Sequence, residues 1–167
     1  IYEIFHYQIA YEIRLQQAME ENLLCPFHYF GISDRAMLGD KQVNTKKITD
    51  RDFNMLTGEE RVKHIVEQAH YFGDSGEKVK GLVFCSRIEE AVALSEKFNQ
   101  TINPETGKVF RTMALSGKTS EEERQRAFER LAMNEEEADE RNIPLDYIFS
   151  VEILNEGVDI VEVNQVI

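Results

Sequence analysis

The sequence predicts an α/β fold with a mainly parallel sheet covered by helices on both faces, and three observations carry that expectation. Short apolar runs at residues 81–85, 109–115 and 145–151 have the character of strands buried on both sides. Amphipathic helical stretches separate them. The order strand, helix, strand, helix, strand is the one that crossover connections of a parallel sheet require. At 167 residues with 42% apolar side chains, the chain is long enough for one core, which excludes collagen-like, disulfide-scaffold and wholly disordered classes.

The leading part, residues 1–56, is the less regular. Residues 8–15 alternate apolar and polar as a strand does, residues 16–22 have helix-forming composition, and a second strand is expected over 24–32, with Pro26 marking an edge or entry point. Residues 33–56 lack a sustained period and read as a solvated loop or short irregular helices. They carry Arg35, Lys41, Lys46, Lys47 and Arg51 against Asp34, Asp40, Asp50 and Asp52, the one locally basic stretch.

The strand and helix core is expected over residues 57–167. Thr57-Gly-Glu-Glu60 reads as a capping box, after which Val62, Ile65, Val66 and Ala69 line one helical face until Gly73. His64, Glu67 and His70 fall on that helix at spacings of three, whereas a helical two-histidine zinc site needs i and i+4, so no metal site is expected. Ser86-Arg-Ile-Glu89 is expected to cap the next helix, with Ile88, Ala91, Val92, Ser95 and Phe98 on one face. Ser120 and Glu123 cap a third, which packs Ala127, Phe128 and Leu131. A last apolar run starts near Val163. The connections over 103–107 and 134–142 fall on the edge opposite the ligand-binding carboxyl ends of the strands, and the acidic one, with Glu135, Glu136, Glu137, Asp139 and Glu140, reads as a solvated loop or helix end.

Lys and Arg number 19 against 31 Asp and Glu, and the net charge of −12 repels nucleic acid and acidic membrane at a distance, so any phosphate binding has to be local. Cys25 and Cys85 sit in no metal or redox pattern and are expected to be reduced core thiols. No apolar run approaches the length of a membrane span, and a cytoplasmic location is expected. The sequence opens on Ile1 and stops at Ile167 inside an apolar run, so it is expected to be a piece of a longer protein.

Three stretches could carry chemistry. Ser116-Gly-Lys-Thr119 ends like a Walker A loop between a strand and a helix, but Thr112 stands where the first glycine of that loop belongs. Ser116, Lys118, Thr119 and the helix start can still hold one backbone phosphate. Phe84-Cys-Ser-Arg87 brings amides, a hydroxyl and a guanidinium to a strand end. In the stretch from Ser150 to Ile160, Glu152, Asn155, Glu156 and Asp159 surround Gly157, which permits close backbone approach to a ligand, and Asp159 could accept hydrogen bonds from ribose hydroxyls.

In this order the segments resemble the second RecA-like domain of superfamily 2 helicases and translocases, a P-loop NTPase-type fold. Gly81-Leu-Val-Phe-Cys-Ser-Arg-Ile-Glu-Glu-Ala91 is similar to motif IV. Ala114-Leu-Ser-Gly117 followed by Glu121 and Arg124 is similar to a small-residue turn and Gln-x-x-Arg, with Glu121 replacing the Gln. Asn155-Glu-Gly-Val-Asp-Ile160 resembles motif V of the branch that holds restriction-enzyme subunits and DNA-repair helicases, and residues 1–34 are similar to the stretch after motif III in bacterial DEAD/DEAH-type helicase-like proteins.

The resemblance implies a single RecA-like domain over 1–167. Gly157 and Asp159 would contact the ATP ribose, and Ser86, Arg87, Ser116, Gly117, Lys118, Thr119 and Ser150 would line the nucleic-acid groove. Arg124 would brace motif V. Val151 departs from a Thr that touches the phosphate backbone in many relatives, and Val161 from a Pro. Walker A, Walker B and motif VI are missing, so the resemblance implies no catalytic residue, no metal ligand and no ATP hydrolysis by this stretch alone. ATP with Mg²⁺ would be held mainly by a first RecA-like lobe of the same parent chain, and the nucleic-acid partner would be DNA ahead of RNA. The alternatives are a non-catalytic binding module on the same fold, or a self-contained P-loop NTPase using Lys118.

Overall fold

The computed structural model describes residues 13–24, 27–32, 49–73, 78–140, 142–151, 153 and 160–167. The chain divides into two compact units, Ile1–Ser33 and Asp34–Ile167.

In the first unit, α1 (Leu15–Glu20) stops where Asn22 takes a φ of 56°, a left-handed conformation that Asn tolerates. The Leu23 N–H then reaches the Ala18 carbonyl at 2.8 Å, closing the helix end. Two sequence expectations are corrected here. Ile13 and Arg14 are in no strand and Leu15 opens α1, while residues 8–12 lie outside the described residues. Residues 27–32 form no strand either, and Phe27, Tyr29, Phe30 and Ile32 are exposed. An apolar run becomes a strand only where a neighbouring segment takes up its backbone N–H and C=O groups in a ladder, and no described strand pairs with this run. Cys25 and Pro26 lie outside the described residues.

The described part of the second unit starts with two helices that follow one another in the chain. Helix α2 (Asp50–Leu56) starts at Thr49, whose hydroxyl accepts the Asp52 N–H at 3.3 Å while the Asp52 carboxylate accepts the Thr49 N–H at 3.1 Å. Helix α3 (Glu59–Phe72) has Gly58 as its N-cap and ends at Gly73, as the sequence indicates. Thr57 does not cap α3: its hydroxyl donates to the Phe53 carbonyl at 2.9 Å and so finishes α2.

The sheet contains β1 (Gly81–Phe84), β2 (Thr112–Leu115), β3 (Tyr147–Ser150) and β4 (Gln165–Val166), all parallel in the order β2-β3-β1-β4. Helix α4 (Ile88–Phe98) connects β1 to β2, and α5 (Glu121–Ala132), with its Ser120–Glu123 capping box, lies between β2 and β3. Alternate strand residues serve opposite faces, as the two-residue period demands. Val83, Tyr147 and Phe149 pack with Val62 and Val66 of α3 and Ala91, Leu94 and Phe98 of α4. Leu115 and Ile148 pack with Ala127 and Leu131 of α5, joined by Leu82, Met113 and Phe128. The expected α/β sheet covered on both faces is therefore present.

Polar groups fix the register at the amino edge. Lys80, only 5% exposed, donates from Nζ to the Met133 and Leu145 carbonyls at 2.8 and 3.0 Å, and burial holds its pKa below the usual lysine range. Its N–H donates to Asn164 Oδ1 at 3.0 Å, just before β4. The buried Asp146 accepts the Arg111 N–H at its carboxylate and gives its own N–H to the Arg111 carbonyl, both at 2.8 Å, while its carbonyl accepts the Gly81 N–H. Glu135 joins this network by pairing with both Arg111 and Lys78. The acidic 134–142 connection is thus not merely a solvated loop: its first carboxylate, in a 3-10 turn (Glu135–Glu137), is drawn onto two cations. At the β2 edge, the Asn99 side chain accepts the Thr112 N–H at 2.7 Å and donates to the Thr112 carbonyl at 3.2 Å.

Two predictions follow from this packing. A Cβ on Gly81 would overlap the Tyr147 ring. Gly81→Ala should therefore lower unfolding free energy by about 1 to 3 kcal/mol in denaturant titrations, the usual cost of overpacking, while Gly117→Ala, which meets nothing within 4 Å, should change it by less than ~0.5 kcal/mol. Hydrogen bonds from Arg111 and then Lys78 hold the Glu135 carboxyl down to about 2, against an ordinary 4.5. Because the folded value is the lower, the stability difference between wild type and Glu135→Gln should be complete above pH 4.5 and shrink as pH falls toward 2, measured by thermal unfolding across that range.

Candidate nucleic-acid interface

Phe84, Ser150 and Leu115 stand side by side in the register of β1, β3 and β2, so the segments leaving these strands emerge at one carboxyl edge. With β3 between the other two, the turns after β1 and β2 are about 10 Å apart, two strand spacings. The edge brings together Ser86 and Arg87, the stretch from Ser116 to Thr119, and Ser150. Gly157 and Asp159, together with Glu152, Asn155 and Glu156, lie outside the described residues.

After β2 the chain folds into a closed turn. The Thr119 N–H donates to the Ser116 carbonyl, the Ser116 N–H donates to Thr119 Oγ1, both at 3.0 Å, and the Lys118 N–H donates to Ser116 Oγ at 3.2 Å. Ser116 is buried while Gly117 and Lys118 are exposed. This is not the wide amide-lined loop of a Walker A motif, and the hydroxyls of Ser116 and Thr119 both accept bonds within the turn. The capped α5 start follows at once, with the Glu123 N–H on Ser120 Oγ at 3.2 Å.

After β1 the arrangement differs from the expected cap. Arg87 is the N-cap of α4 and makes no side-chain cap bond. Ser86 turns instead to Glu90, donating its hydroxyl at 2.8 Å and its N–H at 3.1 Å to one carboxylate oxygen. The other oxygen faces Arg61 Nη1 of α3 at 3.4 Å, and that guanidinium also donates to the Leu56 carbonyl at 3.0 Å. Glu90 is 6% exposed. Sequence reading nominated Glu89 from the Ser-x-x-Glu spacing and missed Glu90; the adjacent carboxylate was the available signal, but its tie to Arg61 is non-local. Next to this group, burial foremost and then the Glu90 charge push the Cys85 thiol up to about 12, so it stays protonated at neutral pH. Cys85 is half-buried against the α3 and α4 face, close to the expected core thiol.

At the end of β3, Ser150 is fully buried and its hydroxyl finds no partner among the described residues. Arg124 of α5 pairs with Glu121 at 3.1 Å, and its buried Nε makes no hydrogen bond among the described residues. Among the described residues no group of three or more His, Cys, Asp or Glu side chains could hold a metal ion, and no helix is long and apolar enough to cross a membrane.

Residues 58–167 match the model of the helicase conserved C-terminal domain. The chain belongs to this family. The match spans every strand of the sheet and both turns of the carboxyl edge, and it makes the chain the C-terminal lobe of a helicase-type protein, with an N-terminal lobe and nucleic acid as its general partners. No curated protein matches the chain.

The hydrogen bonds inside the turn after β2 give it a shape that substitution can test. Thr119→Val should remove the acceptor of the Ser116 N–H and cost about 1 kcal/mol, with faster amide exchange at Ser116, whereas Thr119→Ser should keep both near wild type.

Proposed function

We propose that this chain is the second RecA-like lobe of an ATP-dependent nucleic-acid helicase or translocase acting on DNA, from the branch that holds restriction-enzyme subunits and DNA-repair helicases. The observation that carries this reading is the in-register alignment of three strand ends. It gathers Ser86, Arg87, Ser116, Gly117, Lys118, Thr119 and Ser150 at one edge of a sheet that belongs to the helicase C-terminal family. Ligands of open parallel sheets bind beyond such carboxyl ends.

In this reading the edge grips one strand of nucleic acid through its phosphates. The charge for this comes from single side chains, Lys118 above all, because the chain as a whole carries −12. Gly157 and Asp159 complete an ATP site whose phosphate loop and Mg²⁺ belong to the first lobe of the same parent chain, with Asp159 accepting hydrogen bonds from the ribose. Arg124 braces the segment that carries them. Closure of the two lobes on ATP and their release afterwards shift the grip along the backbone, so the chemistry is supplied at the lobe interface and this chain alone hydrolyses nothing.

Asp159→Ala in the full-length protein tests the assignment directly. Nucleotide affinity, read by titration with a fluorescent ATP analogue, and nucleic-acid-stimulated turnover should both fall by tenfold or more, the scale of about 1.4 kcal/mol in binding. Wild-type values for both would overturn it.

A further inference from the structure

The turn between β1 and α4 presents the donors that bind a phosphate: an amide, a hydroxyl and, from α3, a guanidinium. They converge on an anion that the chain itself supplies. The Glu90 carboxylate takes the Ser86 hydroxyl and N–H on one oxygen and Arg61 on the other, and it is buried.

We propose that Glu90 stands in for a phosphate at this turn, so that Ser86 is a positioning residue and the nucleic-acid backbone is contacted at the 116–119 turn instead. This rests on the nucleic-acid reading above and divides its residues into two roles. A phosphate arriving at Ser86 would have to share these donors with a buried carboxylate or expel it from Arg61. Either outcome sets two anions, or one unpaired anion, in a place shielded from water. The neighbouring thiol offers no relief, since Cys85 stays neutral.

The 116–119 turn is built the other way. Its hydroxyls accept bonds within the turn, its exposed members are Gly117 and Lys118, and the space beside the Gly117 Cα is open. Among the described residues Lys118 makes no ion pair, so its charge is available to a phosphate at low desolvation cost. Glu90 thereby acts in specificity as well as in architecture: it closes one of two neighbouring phosphate sites and sets the path of the backbone along the β2 side of the edge.

The test is the salt dependence of binding of a labelled single-stranded oligodeoxythymidylate to the full-length protein. Each phosphate contact made by a Lys or Arg contributes about 0.7 to the slope of log affinity against log salt. Lys118→Ala should lower the magnitude of the slope by about that amount. Glu90→Gln, which removes the stand-in charge and keeps the shape, should let Arg61 take a phosphate and raise the magnitude of the slope by about the same amount. A slope unmoved by Glu90→Gln, or one unmoved by Lys118→Ala, overturns the proposal. Absence of any binding by the unaltered protein at low salt overturns the nucleic-acid reading itself, and this division of roles with it.

Discussion

Lys80 and Asp146 hold the amino edge of the sheet, and the geometry of the opposite edge depends on them. Asp146 exchanges hydrogen bonds with Arg111 before β2 and accepts the Gly81 N–H at the start of β1, so one residue aligns β3 with both of its neighbours. Lys80 does the same for β4 through Asn164 and ties the chain ahead of β3 through the Met133 and Leu145 carbonyls. A slip of one residue would exchange the two faces of a strand, moving Ile148 toward α4 and Phe149 toward α5. With strands of four residues, the alignment set at Gly81, Thr112 and Tyr147 is carried directly to Phe84, Leu115 and Ser150.

The distribution of charge acquires a meaning that a net value of −12 conceals. Carboxylates are paired with several of the basic side chains: Glu135 with Lys78 and Arg111, Glu90 with Arg61, Glu121 with Arg124, and Glu122 with Arg126. The exposed pairs contribute little stability, but they remove those cations from the far field. What acidity does here is to leave few positions from which phosphate can be attracted, so that a short basic turn counts for more than it would on a basic surface.

The helices and strands of residues 57–167 were legible because burial on two faces leaves short apolar runs and helical periodicity leaves Val62, Val66, Ala127 and Leu131 at readable spacings. Signals confined to neighbouring residues were harder to rank than to find. Thr49-x-x-Asp52 and Thr57-x-x-Glu60 are nearly the same pattern, yet the first starts a helix and the second spans the end of one. The strand expected over 24–32 failed because pairing is a property of two segments and only one of them is in the run. For the site, strand ends placed Ser86, Arg87 and the 116–119 turn correctly at one edge. The partners of Glu90 and Glu135 did not show, since Arg61 lies 29 residues from Glu90, and Lys78 lies 57 from Glu135. Such pairs leave no periodic trace.

The Asn99 amide lies against Thr112 in the position that a further strand would occupy, with donor and acceptor both engaged. A bare strand at the rim of a sheet is a template onto which another molecule can zip, and the first bonds of that zipper are the ones Asn99 already holds. Asn99, just past the end of α4, thus occupies the outer hydrogen-bonding groups of Thr112 without a charge or a proline in β2 and without giving up an apolar position in the core.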